Sequence, residues 1–185
     1  MVNTEQTPNP DTLKFLPGKK VSEIGPVQFL KNEKNTKDVS LANKILSLEG
    51  TVMVFFGEDF ITVKKKKDIS WDDLKHGVIS EINDYYSKGN EIVLKKGFNI
   101  KQKKPDIKED NETIKKIKEI LDSKIRPAVA RDGGDIRFKS FENGTVIVEL
   151  EGSCSGCPSS VMTLKQGVQN LLCHYVSEVK KVEAV

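Results

Sequence analysis

Apolar residues along this chain change period several times, and each change predicts an element. After the turn-forming stretch TPNPD (residues 7–11), TLKFL alternates with Leu13 and Phe15 on one face and predicts a first strand. Residues 27–30 predict a second, short strand. Leu41, Ile45 and Leu48 then recur at helical spacing until Gly50, which stops the helix. TVMVFF, a turn at Gly57, Glu58 and Asp59, and FITV predict a hairpin of β-branched and aromatic runs. Ser70 with Asp73 makes a capping box for a helix whose stripe is Leu74, Val78, Ile82 and Tyr85, ending near Gly89.

A second series follows. Ile114, Ile117, Leu121 and Ile125 keep helical spacing, and Pro127, which lacks a backbone donor, is expected to kink or end that helix. Arg131, Asp132, Gly133, Gly134 and Asp135 read as a turn in which both glycines supply positive φ. IRFKSF and TVIVEL flank Asn143-Gly144, a strong hairpin signal. Val161, Leu164, Val168, Leu171, Leu172 and Tyr175 define one face of a further helix, and VKKVEAV can return as a last strand. Between the two series, GFNIKQKKPDIKEDN has a proline, alternating charge and no apolar period, as a linker does. The fold class expected is α+β: two small α/β domains, residues 1–97 and 112–185, joined by a flexible linker at 98–111. The second has the order α-β-β-α-β.

Composition narrows the function. With 37% hydrophobic and 31% charged residues in 185, small cores are affordable and disorder is not indicated. Net charge is +3 and evenly spread, with 15 basic and 14 acidic residues up to residue 100, so nucleic acid is not an expected partner. No run approaches a membrane span, and membrane association is not expected. The opening MVNTEQTPNPD is polar and free of Arg, unlike a signal or transit peptide. Three cysteines, an odd number, point to a reducing compartment. A bacterial cytoplasmic protein is expected, or one of the mitochondrial matrix if the chain is a processed eukaryotic form.

Two of those cysteines, Cys154 and Cys157, stand in EGSCSGCPSS between a strand end and a helix start, with Pro158 at a first helical position. The positive end of a helix dipole and the small residues Ser153, Ser155 and Gly156 favour thiolates there. The loop by itself fits a thioredoxin-like dithiol redox couple, half of a zinc site that would bridge two chains, half of an iron–sulfur site, or a structural turn. Counting donors narrows the metal readings, since zinc and cubane clusters generally take four ligands. Cys173 lies roughly 24 Å beyond Cys157 along the predicted helix, at 1.5 Å per residue, and off its apolar face. His174 shares that distant end, and His76 belongs to the other domain. A metal centre here is therefore half open or shared between two copies, and a cluster on a two-fold axis satisfies four-thiolate coordination.

IRPAVARDGGDIRF followed by GSCSGCPSSVMTLKQGVQNLL closely resembles the C-terminal domain of the Nfu, or NifU-like, family of iron–sulfur cluster scaffold and carrier proteins. TPNPDTLKF, LANKILSLEGTVMVFFGEDFITV and WDDLKHGVISEI are similar to the N-terminal domain of mitochondrial and some bacterial members. The resemblance implies a [4Fe-4S] cluster bridged between two subunits by Cys154 and Cys157 of each, the sole ligands and metal-binding residues carried over. It also implies a cluster-loaded homodimer that receives its cargo from upstream assembly proteins and passes it to apo iron–sulfur proteins such as lipoyl synthase, aconitase and respiratory complex subunits. No general-base pair or nucleophile constellation is visible, and an enzyme is not expected. KKKK at residues 64–67 reads as a solvated turn, and His76, His174 and Cys173 as surface residues.

Overall fold

The computed structural model describes residues 1–99, 111–156 and 158–185. The chain divides into two compact units, residues 1–100 and 101–185. The expected linker at 98–111 falls almost entirely outside the described residues.

In the first unit, strands β1 (Asn3–Gln6), β2 (Thr12–Leu16), β3 (Val27–Leu30), β4 (Thr51–Phe56) and β5 (Ile61–Lys65) form one antiparallel sheet in the order β1-β2-β5-β4-β3. β1 was not expected, because NTEQ carries no apolar alternation; its pairing with β2 supplies what its side chains do not. Leu13, Phe15, Val54, Phe56, Ile61 and Val63 point to one face, where helices α1 (Ser40–Ser47) and α2 (Trp71–Ser87) bury Leu41, Ile45, Leu74, Val78 and Ile82 against them. Ser70 caps α2 by accepting the Asp72 N–H rather than that of Asp73. After α2 the chain returns, and the N–H groups of Val93 and Leu94 both donate to the Val21 carbonyl.

A further expectation fails in this unit. Lys64 and Lys65 are not in a solvated turn but in β5, and Lys65 is buried, its ammonium 3.4 Å from Asp11 and over the Trp71 ring. Only Lys66 and Lys67 are exposed turn residues. A long aliphatic stem can line the sheet while its charge finds a carboxylate, which a run of four lysines conceals.

The second unit has the order helix, strand, strand, helix, strand. α3 (Glu112–Ile120) passes through a π-helical turn at Leu121–Ile125 into α4 (Arg126–Arg131). Pro127 therefore neither ends nor simply kinks the helix. The Arg126 N–H reaches back five residues to the Leu121 carbonyl, and in the widened turn Pro127 opens a new helical segment, where a missing donor costs little. β6 (Gly134–Glu142) and β7 (Thr145–Gly152) form the hairpin through Asn143 (φ 51°) and Gly144 (φ 79°), and β8 (Lys181–Ala184) adds parallel to β7. α5 (Pro158–Tyr175) turns Val168 and Leu172 onto the sheet, where Ile117, Leu121, Ile136, Val146 and Val148 meet them. The Gln169 side chain also accepts the Val182 N–H, which ties β8 to α5. No described helix is long and apolar enough to cross a membrane.

Leu172 is fully buried and its neighbour Cys173 is exposed. Leu172→Ala should lower the stability of the second unit by about 3 kcal/mol in urea unfolding. Cys173→Ala should change it by no more than about 0.5 kcal/mol.

Candidate metal centre

β7 ends at Gly152, and Ser153 to Gly156 form the turn leading toward α5. The turn is tied to the connection between α4 and β6. The Ser153 N–H donates to the Gly133 carbonyl at 3.2 Å, and its hydroxyl donates to the Asp132 carbonyl. Within the turn, the backbone N–H and hydroxyl of Ser155 both donate to the Gly152 carbonyl, at 3.2 and 3.0 Å. Gly152 and Gly156, at either end, have φ of 70° and 72°. The loop thus doubles back at both ends, in the conformation that favours glycine.

Cys154 points inward. It is 6% exposed and packs in the same apolar cluster as Ile117, Leu150 and Val168. Gly134 makes the room. A Cβ at that position would lie 2.7 Å from the Glu151 carbonyl oxygen and 2.8 Å from Cys154 Sγ. Here the expected turn is corrected: Gly133 does have positive φ (82°), but Gly134 does not, and it opens β6 opposite Gly152. Its missing side chain serves space, not backbone freedom.

Asp135, also expected in the turn, is a strand residue and only 3% exposed. It stands opposite Glu151 across the ladder, two carboxylates in register, which is unfavourable without cations nearby. Arg126 supplies the first: its Nε and Nη2 donate to the two Asp135 oxygens, each at 2.9 Å, while Nη1 donates to Asp122 at 3.1 Å. Asp135 chiefly, and Asp122 after it, hold the Arg126 guanidinium still more firmly protonated. Arg137 supplies the second, its Nε 3.5 Å from both Asp135 and Glu151. Burial pushes the Glu151 carboxyl above its ordinary range, and Arg137 pulls it partly back. The network joins α4, β6 and β7 at the residues that adjoin Gly134 and Gly152.

Of the expected site residues, Cys154 lies in this turn, while Cys157 lies outside the described residues. Cys173 and His174 are exposed at the far end of the 18-residue α5, and His76 is exposed on α2. Among the described residues, no group of three His, Cys, Asp or Glu side chains could hold a metal ion. Sequence reading missed Arg126, Arg137 and Glu151 and the weight of Asp135, because only the register brings the four together.

Asp135→Asn should cost the second unit roughly 2–3 kcal/mol in urea unfolding, since it leaves Arg126 and Arg137 facing a neutral amide in a largely buried place. Asp122→Asn, at an exposed carboxylate, should cost about 0.5 kcal/mol or less.

Comparison with known proteins matches residues 117–183 to a family described as the NifU-like domain, and residues 2–89 to the N-terminal domain of scaffold protein Nfu/NifU. The chain is 46% identical over 184 residues to NifU-like protein 4, mitochondrial, of Arabidopsis thaliana, covering 98% of this chain and 65% of that protein. It is 42% identical over 185 residues to the human NFU1 iron-sulfur cluster scaffold homolog, mitochondrial, covering 100% of this chain and 71% of that protein. The chain thus spans just under two-thirds of the plant relative's length. A solution structure of a NifU-like protein from Saccharomyces cerevisiae overlays with a TM-score of 0.47 at 25% identity, over 52% of this chain and 85% of that one.

Proposed function

Because the chain belongs to the Nfu, or NifU-like, family of iron–sulfur cluster scaffold proteins, we propose that it carries a [4Fe-4S] cluster between two copies of itself and delivers it to apo iron–sulfur proteins. Cys154 and Cys157 of each copy are the ligands in this reading. The observation that carries it is the count of donors. The loop offers two thiols, Cys173 is remote on α5, and no third described donor converges on the site. Four thiolates then require a second chain.

The proposed chemistry is exchange without turnover. An acceptor thiolate bonds to a cluster iron as one carrier thiolate leaves it, so charge balances and no electron moves. The start of α5 directly after Cys157 favours anionic sulfur, and the small residues of the turn leave an acceptor room to approach. The cluster is cargo, and we assign the chain no catalytic residue. Residues 112–185 are the cargo-bearing domain in this reading and 98–111 the linker. Residues 1–97, which contain no cysteine, serve recognition or stability. The mitochondrial relatives favour the matrix over the bacterial cytoplasm as the place of action.

Anaerobic reconstitution with iron and sulfide should give a brown protein with visible thiolate-to-iron absorption and about four irons per dimer. Its mass should double on loading and return to that of a monomer on chelation. Cys154→Ala and Cys157→Ala should each abolish the absorption, and Cys173→Ala should leave it unchanged. A cluster retained in either of the first two variants, or zinc in place of iron in protein purified without air, would overturn the assignment.

A further inference from the structure

A cluster ligand has to present its sulfur outward, yet Cys154 holds its sulfur inside. Its side chain is one of the apolar cluster of the second unit, and its Sγ lies 2.8 Å from where a Cβ of residue 134 would be. Three walls define the niche: the Gly134 backbone, the Glu151 carbonyl and the apolar side chains beneath. The Ser153 bonds to Gly133 and Asp132 hold the loop down over it. Asp135 and Glu151, the strand neighbours of Gly134 and of Gly152, are tied by Arg126 and Arg137 on the other face of the two strands.

We propose that Gly134 is a positioning residue that stores the Cys154 thiol in a closed place while the chain carries no cargo, so that loading begins with the side chain turning out of this niche. The inference rests on the ligand role proposed above for Cys154. The stored thiol is withheld from oxidants and alkylating agents until the loop opens, because such reagents attack the accessible thiolate. Residue 134 sets the depth of storage. Any side chain there meets both a backbone oxygen, which cannot give way, and the sulfur, which can swing aside. The Cβ of an alanine therefore displaces the thiol and also pushes β6 from the Glu151 carbonyl.

Site-resolved alkylation of the cargo-free, reduced full-length protein with iodoacetamide, read by peptide mass spectrometry, tests this without iron. In the native protein Cys154 should react about ten-fold or more slowly than the exposed Cys173, and denaturation should bring the two rates together. Gly134→Ala should raise the Cys154 rate toward that of Cys173 and leave Cys173 unchanged. Native rates for Cys154 and Cys173 within about two-fold of each other would overturn the proposal whether or not the variant folds. So would a folded Gly134→Ala protein whose Cys154 stays protected. If Cys154 is protected but reconstitution succeeds without it, the ligand role fails while storage of the thiol stands.

Discussion

The close approach of two backbones at the start of β6 is the constraint from which the cysteine turn follows. Gly134 faces Gly152 across the ladder, so neither strand carries a side chain where the hairpin opens toward the loop. That vacancy lets the Ser153–Gly156 turn fold back over the sheet end and lets Cys154 occupy the space. A side chain at 134 would crowd both the Glu151 carbonyl and the sulfur. Interiors packed to crystal-like density have no slack to absorb such a conflict.

The next pair along the ladder is an expensive arrangement: two carboxylates opposite each other, one of them almost fully buried. Burying charge gains little stability even when pairing is good. What the network provides is registration. Arg126 comes from a helix, Asp135 and Arg137 from one strand, and Glu151 from the next, so any slide between these elements separates charges that cannot be left unpaired. The turn that follows Gly152 starts from strands aligned in this way.

Much of the architecture is legible from residue spacing, since β3, the Asn143-Gly144 hairpin and the α5 stripe follow simple periodicity. The site residues are less legible for a definite reason. Counting back from the hairpin turn pairs Glu142 with Thr145 and Ser140 with Ile147, but a bulge between Phe138 and Ser140 shifts the register by one. Without it, Gly134 would face Ser153 and Asp135 would face Gly152. Nothing in the identity of Lys139 announces the extra residue, and a bulge reverses which side chains share a face. The same holds for Pro127, whose effect depends on whether the preceding turn can widen. Cys154 and Cys157 are a pair in the sequence whatever the register, because nearness along the chain needs none.

The π-helical turn at Leu121–Ile125 and the bulge near Lys139 each add one residue to an otherwise regular element, on two segments that meet at Arg126 and Asp135. A single extra residue turns a helix by about 100° and a strand by half its side-chain period. Arg126 and Asp135 meet in a chain that contains both. In this part of the chain length matters as well as identity: removing the extra residue of the helix would turn Arg126 by about 100° relative to α3, and removing that of β6 would take Asp135 out of register with Glu151.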